Sequence, residues 1–139
     1  MTDEISARLP VRQSPLEFSL QLFQRAIALC CLAFGTAYWV QLLGFFEGIQ
    51  WRVDLMPLYW QVTAIPLAVL FPFAAVGLWI LASWGLVVWF LCAGMEIVMY
   101  GFLQNLYGNH MLIIAFHTVA IAFFAVMRTM LFLRQRRAD

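Results

Sequence analysis

From Leu58 to Met127 the chain runs for 70 residues with one formal charge, Glu96. No helix or strand of a water-soluble domain can be built from such a stretch, because none of its faces would be polar enough to meet solvent. A membrane crossing takes about 20 apolar residues, so the stretch holds three crossings, and a fourth apolar run precedes it. The spans are read at 26–46, 58–81, 85–103 and 111–132. The rest of the composition agrees: 65% of the 139 residues are hydrophobic and 11% are charged. A single domain of this length cannot hide that much apolar surface from water. The expectation is therefore an all-α integral membrane protein over residues 1–139. It has four transmembrane helices in an up-down bundle and a short amphipathic N-terminal lead-in. A net charge of +1 offers no field for a nucleic-acid partner. The first partner is the lipid bilayer.

The lead-in starts at Ser14-Pro15-Leu16-Glu17, which has the form of a capping box with proline at the first helical position. Leu16, Leu20 and Phe23 share one side of residues 15–25, a pattern suited to lying near the headgroups. The first span follows an acidic Asp3–Glu4 pair and no small-residue cleavage site ends it, so it reads as a retained helix rather than a signal peptide. All eight basic residues are arginine, which points to a GC-rich bacterial genome. Arg8, Arg12 and Arg25 precede the first span and Arg128, Arg134, Arg136 and Arg137 close the last. Arg52 alone lies in a connecting loop, balanced by Glu47 and Asp54. By the positive-inside rule both termini face the cytoplasm, as an even number of spans requires. The reading is a multi-pass protein of a bacterial inner membrane. In the tight turn at 82–85, Gly85 is expected to take a left-handed conformation and Ser83 to cap the next helix. Trp79 and Trp84 fit an aromatic belt at that face, and Trp51, Tyr59 and Trp60 one at the opposite face.

The run Ala75-Val76-Gly77-Leu78-Trp79-Ile80-Leu81-Ala82-Ser83-Trp84-Gly85-Leu86-Val87-Val88-Trp89, followed by Glu96-Ile97-Val98-Met99-Tyr100, resembles an uncharacterised family of small four-span inner-membrane proteins from alphaproteobacteria. The resemblance lies mainly in spans two and three. It implies a bacterial inner membrane and a domain of unknown function, and it carries over no activity.

Gln41, Gln61, Glu96 and His117 fall within the spans, where loops do not explain them. Glu96 lies 11 residues before Tyr107, the centre of the third loop, and His117 lies 10 after it. At 1.5 Å per residue the two are level. Gln41 and Gln61 are placed the same way about Trp51. One polar side chain from each helix is thus expected to meet in a single layer, with Tyr38 and Tyr100 one turn away. An ionised carboxylate at this depth costs about 2.5–3.5 kcal/mol, so Glu96 must carry a proton or face a partner, and His117 is the natural partner. Such a layer either holds helices together or works as a proton relay, ion site or headgroup pocket. An axial ligand for a haem is disfavoured, since the second histidine, His110, sits at the surface.

Pro66 and Pro72 each free a backbone carbonyl in span two, those of Val62 and Ala68, and read as a helix kink that Gln61 and Thr63 could help satisfy. Ala33/Ala37, Gly44/Gly48 and Ala64/Ala68 offer small-residue pairs for close packing. Cys30, Cys31 and Cys92 lie in apolar runs without metal or redox spacing. No catalytic or phosphate-binding motif appears, and no catalytic residue, cofactor or metal is assigned. The leading function is an accessory or scaffold subunit that binds other membrane subunits or itself, rather than an enzyme. The alternative is a small proton-linked carrier using Glu96 and His117, with the Pro66/Pro72 region flexing.

Overall fold

The computed structural model describes residues 12–138. Helix α1 spans Pro15–Leu43, α2 Leu58–Trp79 and α3 Ser83–Ile97. A π-helical turn, Val98–Phe102, continues α3. A short α4, Gln104–Tyr107, precedes α5, Met111–Ala138. Four helical stretches are long and apolar enough to cross a membrane: α1, α2, α3 with its π turn, and α5. The protein is an all-α four-helix bundle. The loops at 44–57 and 103–110 share one end, where the Tyr107 hydroxyl donates to the Tyr59 carbonyl at 2.8 Å. The start of α1, the α2–α3 turn and the end of α5 share the other, here the terminal end.

The capping box forms as expected. The Ser14 amide donates to Glu17 Oε2 at 2.9 Å and the Glu17 amide to Ser14 Oγ at 3.2 Å. The lead-in, however, is no separate element. It is the first part of one 29-residue helix, about 44 Å long and so longer than the roughly 30 Å hydrocarbon core. No glycine or proline interrupts residues 16–34, so nothing turns the chain where the membrane begins. Arg8 and the Asp3–Glu4 pair lie outside the described residues.

The α2–α3 turn departs from expectation in an instructive way. Leu81, not Gly85, takes the left-handed conformation, at φ 60°. The Leu81 amide donates to the Leu78 carbonyl and the Ala82 amide to the Gly77 carbonyl, which is the Schellman pattern that closes a helix. Ala82 is the N-cap of α3 and no side chain caps that end. Gly85 serves another purpose. A Cβ placed there would collide with the backbone of Gly77 and with the Leu78 nitrogen. The two glycines let α2 and α3 touch backbone to backbone just past the turn.

The α1–α2 contact uses the same device. A Cβ on Gly35 would meet Pro72 Cδ at 2.6 Å, so the proline ring sits where a side chain of α1 would be. Helix α2 runs unbroken through Pro66 and Pro72. The Thr63 hydroxyl bonds the Tyr59 and Trp60 carbonyls and Gln61 bonds Val53 and Met56. Neither serves the carbonyls that the prolines release. Ala64 and Ala68 are buried against the core, whereas Ala33 and Ala37 face outward and Gly44 and Gly48 form the first loop at positive φ. Trp60 belongs to the core rather than to a belt: it is buried, with its ring 5.0 Å from that of Tyr107. Trp79 ends α2 under the Arg25 guanidinium at 5.7 Å.

These contacts predict opposite outcomes for two small changes. Gly85→Ala should lower the stability of the detergent-solubilised protein by about 1–3 kcal/mol, the usual effect of overpacking. Leu81→Gly should raise it by about 1 kcal/mol, by removing a left-handed leucine. Reversible unfolding in mixed micelles measures both.

Candidate functional site

The helix ends explain which polar groups meet. Tyr38 lies five residues before Leu43, Glu96 six before Phe102 and His117 six after Met111. Each is therefore about 8–9 Å inside the loop end of its helix. All three point into the bundle. Glu96 and His117 have no exposed surface, and Tyr38 and Tyr100 are buried.

The Tyr38 hydroxyl donates to Glu96 Oε1 at 2.6 Å, and His117 Nε2 lies 2.5 Å from Glu96 Oε2. The Tyr38 and Tyr100 hydroxyl oxygens are 3.4 Å apart. A phenol has one proton to give. Since Tyr38 gives its proton to Glu96, Tyr100 is the donor in the second bond. The order is Tyr100 to Tyr38 to Glu96, with His117 on the far carboxyl oxygen. Three helices are thereby joined: α1, α3 with its π turn, and α5. The aromatic rings around His117 come from α1, α2 and α5: Phe34 at 5.5 Å, Phe71 at 6.4 Å and Phe116 at 5.3 Å between centroids. Phe71 also stacks on Tyr38 at 5.9 Å. Over the cluster, on its loop side, the Tyr100 ring packs on that of His110 at 4.6 Å.

Glu96, His117, Tyr38 and Tyr100 thus come together as the level count expects, and Gln41 and Gln61 do not. The Gln61 amide donates to the Val53 and Met56 carbonyls at 2.9 Å each and ties down the first loop. Gln41 is half-buried and joins none of the cluster's hydrogen bonds. The reason is the 14-residue connection between Leu43 and Leu58. The centre of so long a connection does not mark the level of the helix ends, and both glutamines fall in end turns of α1 and α2. Phe34 and Phe71 were not anticipated. Phe34 stands one turn before Tyr38 on the same face, the spacing that could have flagged it.

One nitrogen of the site has no partner among the protein groups: His117 Nδ1. His117 Nδ1 stays without a partner whichever tautomer the ring takes. If one proton is shared along the Glu96–His117 contact so that the pair carries no net charge, Nδ1 carries an N–H aimed among aromatic rings. If Nδ1 is a bare lone pair and Nε2 donates, the carboxylate is left with its charge. Either state costs energy in a low-dielectric interior. Interhelical hydrogen bonds in membranes average about 0.6 kcal/mol with a maximum near 1.7. Three of them roughly offset the insertion cost of one carboxyl group. The cluster therefore contributes little net stability but strongly disfavours any packing that separates its members. Among the described residues no group of three or more His, Cys, Asp or Glu is placed to hold a metal.

Tyr38→Phe should cost about 0.5–1.5 kcal/mol, since Glu96 keeps His117. His117→Leu should cost about 2–4 kcal/mol, since a buried carboxyl oxygen loses its only partner. Unfolding of both variants beside the parent decides the order, and equal costs would contradict it.

No curated protein and no solved structure matches the chain. Residues 18–135 match the family model described as a family of unknown function, DUF6163, reaching from α1 to the end of α5 and well beyond the two spans that carry the resemblance in the sequence. The chain belongs to that family.

Proposed function

We propose that this protein is an accessory or scaffold subunit of a bacterial inner membrane, with both termini cytoplasmic, that binds other membrane subunits along α1 and α5. The carrying observation is where its polarity goes. The one acid within the spans and its histidine have no exposed surface, so function passes through the apolar exterior. Helix α5 is the least covered span: 22% of its apolar stretch is buried, against 44% in α2. Beside it runs an apolar groove of about 540 Å³ between α1 and α5, with Phe23 and Ile27 on one wall and Ala115, Val119 and Phe123 on the other. Small residues on a groove floor allow close approach of a partner helix. The arginine distribution supports the orientation.

A proton-linked carrier is the second reading. Its support is the contact between His117 Nε2 and the Glu96 carboxyl group, a pair that can hold one proton in two places.

Mild detergent extraction followed by mass spectrometry separates the two. The accessory reading expects a stoichiometric membrane partner that Glu96→Gln retains and Ala115→Phe, which fills the groove at an exposed position, loses at least about tenfold. Isolation as a lone monomer would overturn it. Loss of cellular function on Glu96→Gln with normal accumulation of folded protein would favour the carrier.

A further inference from the structure

At the terminal end α1, α5 and the α2–α3 turn enclose a cavity of about 760 Å³ that no part of the polar cluster enters. Its floor is apolar, formed by Leu20, Leu86, Phe124 and Leu131. Its polar lining carries one anion, Glu17, one cation, Arg128, the Ser83 hydroxyl and the amides of Gln13, Gln21, Gln24 and Gln135. The two charges line the same space yet do not pair: the ion pairs among the described residues are Arg52–Asp54 and His117–Glu96. Glu17 Oε2 accepts from the Ser14 amide, which leaves Oε1 to a ligand.

We propose that this cavity binds the headgroup of a zwitterionic phospholipid with a primary amine, phosphatidylethanolamine in class. Three features fit that chemistry. The two charged groups lie at different levels of the cavity. Arg128 shares the cavity with Leu81 and Ser83 of the α2–α3 turn, and Arg25 packs over Trp79 at the start of that turn. Glu17 lies eight residues beyond Arg25, about 12 Å further out. A phosphate can meet the guanidinium and an amine the carboxylate, with the acyl chain along the apolar lining. The guanidinium suits a phosphate, which accepts two parallel N–H bonds. A primary ammonium gives three hydrogen bonds, and Glu17 with the carbonyl ends of Gln21 and Gln24 can accept them. A choline headgroup has none to give and is held instead by aromatic cages. A glycerol headgroup brings no cation to Glu17. The apolar floor selects an intact lipid over a soluble headgroup.

Native mass spectrometry of the full-length protein in dodecyl maltoside, titrated with dioleoyl phosphatidylethanolamine, phosphatidylcholine or phosphatidylglycerol, tests this. Ethanolamine lipid should be retained about tenfold more strongly than either other lipid. Arg128→Gln should weaken its retention about tenfold. Glu17→Gln keeps the capping box, since glutamine serves at that position, and should abolish the preference over phosphatidylglycerol. If Arg128→Gln lowers the melting temperature, Arg128→Lys decides, and it must keep the preference. Equal retention of the three lipids, or a preference that survives both charge removals, would overturn the proposal. So would displacement of the lipid by excess glycerophosphoethanolamine, which would make the cavity a site for a soluble ligand.

Discussion

A carboxyl group cannot stand alone in hydrocarbon, and this bundle is arranged around that constraint. Glu96 sits on α3, and its two oxygens are reached from opposite directions, by Tyr38 of α1 and His117 of α5. Helix α2 supplies no polar group to the cluster. It supplies Phe71, which stacks on Tyr38 and lies against His117. All four helices therefore converge on one residue, three by hydrogen bonds and one by an aromatic wall. Rotating α5 by one residue, about 100°, would turn His117 away and leave the carboxyl oxygen exposed to apolar side chains. The apolar surface of α5 alone would tolerate that rotation, because leucine and phenylalanine pack as well against lipid as against protein. Specific register here comes from polarity.

The remaining contacts work by closeness. Gly77 and Gly85 remove the side chains that would hold α2 and α3 apart, and Gly35 does the same for α1 where Pro72 approaches. Dispersion falls steeply with distance, so each deleted Cβ yields contact along the neighbouring turns. Pro72 shows why a proline is tolerated there. The hydrogen bond it removes belongs to a buried helix, while its ring fills the notch that Gly35 leaves. The left-handed Leu81 has a related origin. The Schellman closure needs a left-handed residue between Ile80 and Ala82, and the glycines that could adopt it cheaply are already used in the helix contact. A leucine carries the strain so that the glycines can carry the packing.

Much of this was legible in the residues. Seventy residues with one charge can only be read as crossings, and a capping box at Ser14 declares its own helix start. The level of Glu96 and His117 followed from counting because the connection between them is short and nearly symmetric. The same count failed for Gln41 and Gln61 because their connection is long and folds on itself. Gly44 turns left-handed at the end of α1, Arg52 pairs with Asp54, and Gln61 closes the loop by bonding Val53 and Met56. A loop that makes its own hydrogen bonds draws nearby polar residues to itself, and hydropathy does not register that. Gly85 was assigned the wrong task for a similar reason: a glycine near a turn looks the same whether it bends the chain or lets another helix in.

The two ends of the bundle have opposite characters, and this bears on how the protein could act. At the loop end the Tyr100 ring packs at a tilt on His110, Tyr107 bonds to Tyr59 and the polar cluster is sealed beneath them. At the terminal end the cavity between α1 and α5 stays open, with its charges unpaired. A bundle locked at one end and open at the other concentrates its adaptability where the helices emerge. Helix α5 links the two. It is held by His117 near its start, while its buried positions further along, Ala120, Phe124, Met127 and Leu131, are one turn or less apart and apolar. Among the described residues His117 is the one α5 side chain that hydrogen-bonds to another helix. Binding along α5 and filling of the terminal cavity would act on the same helix from two sides, and each would change the cost of the other.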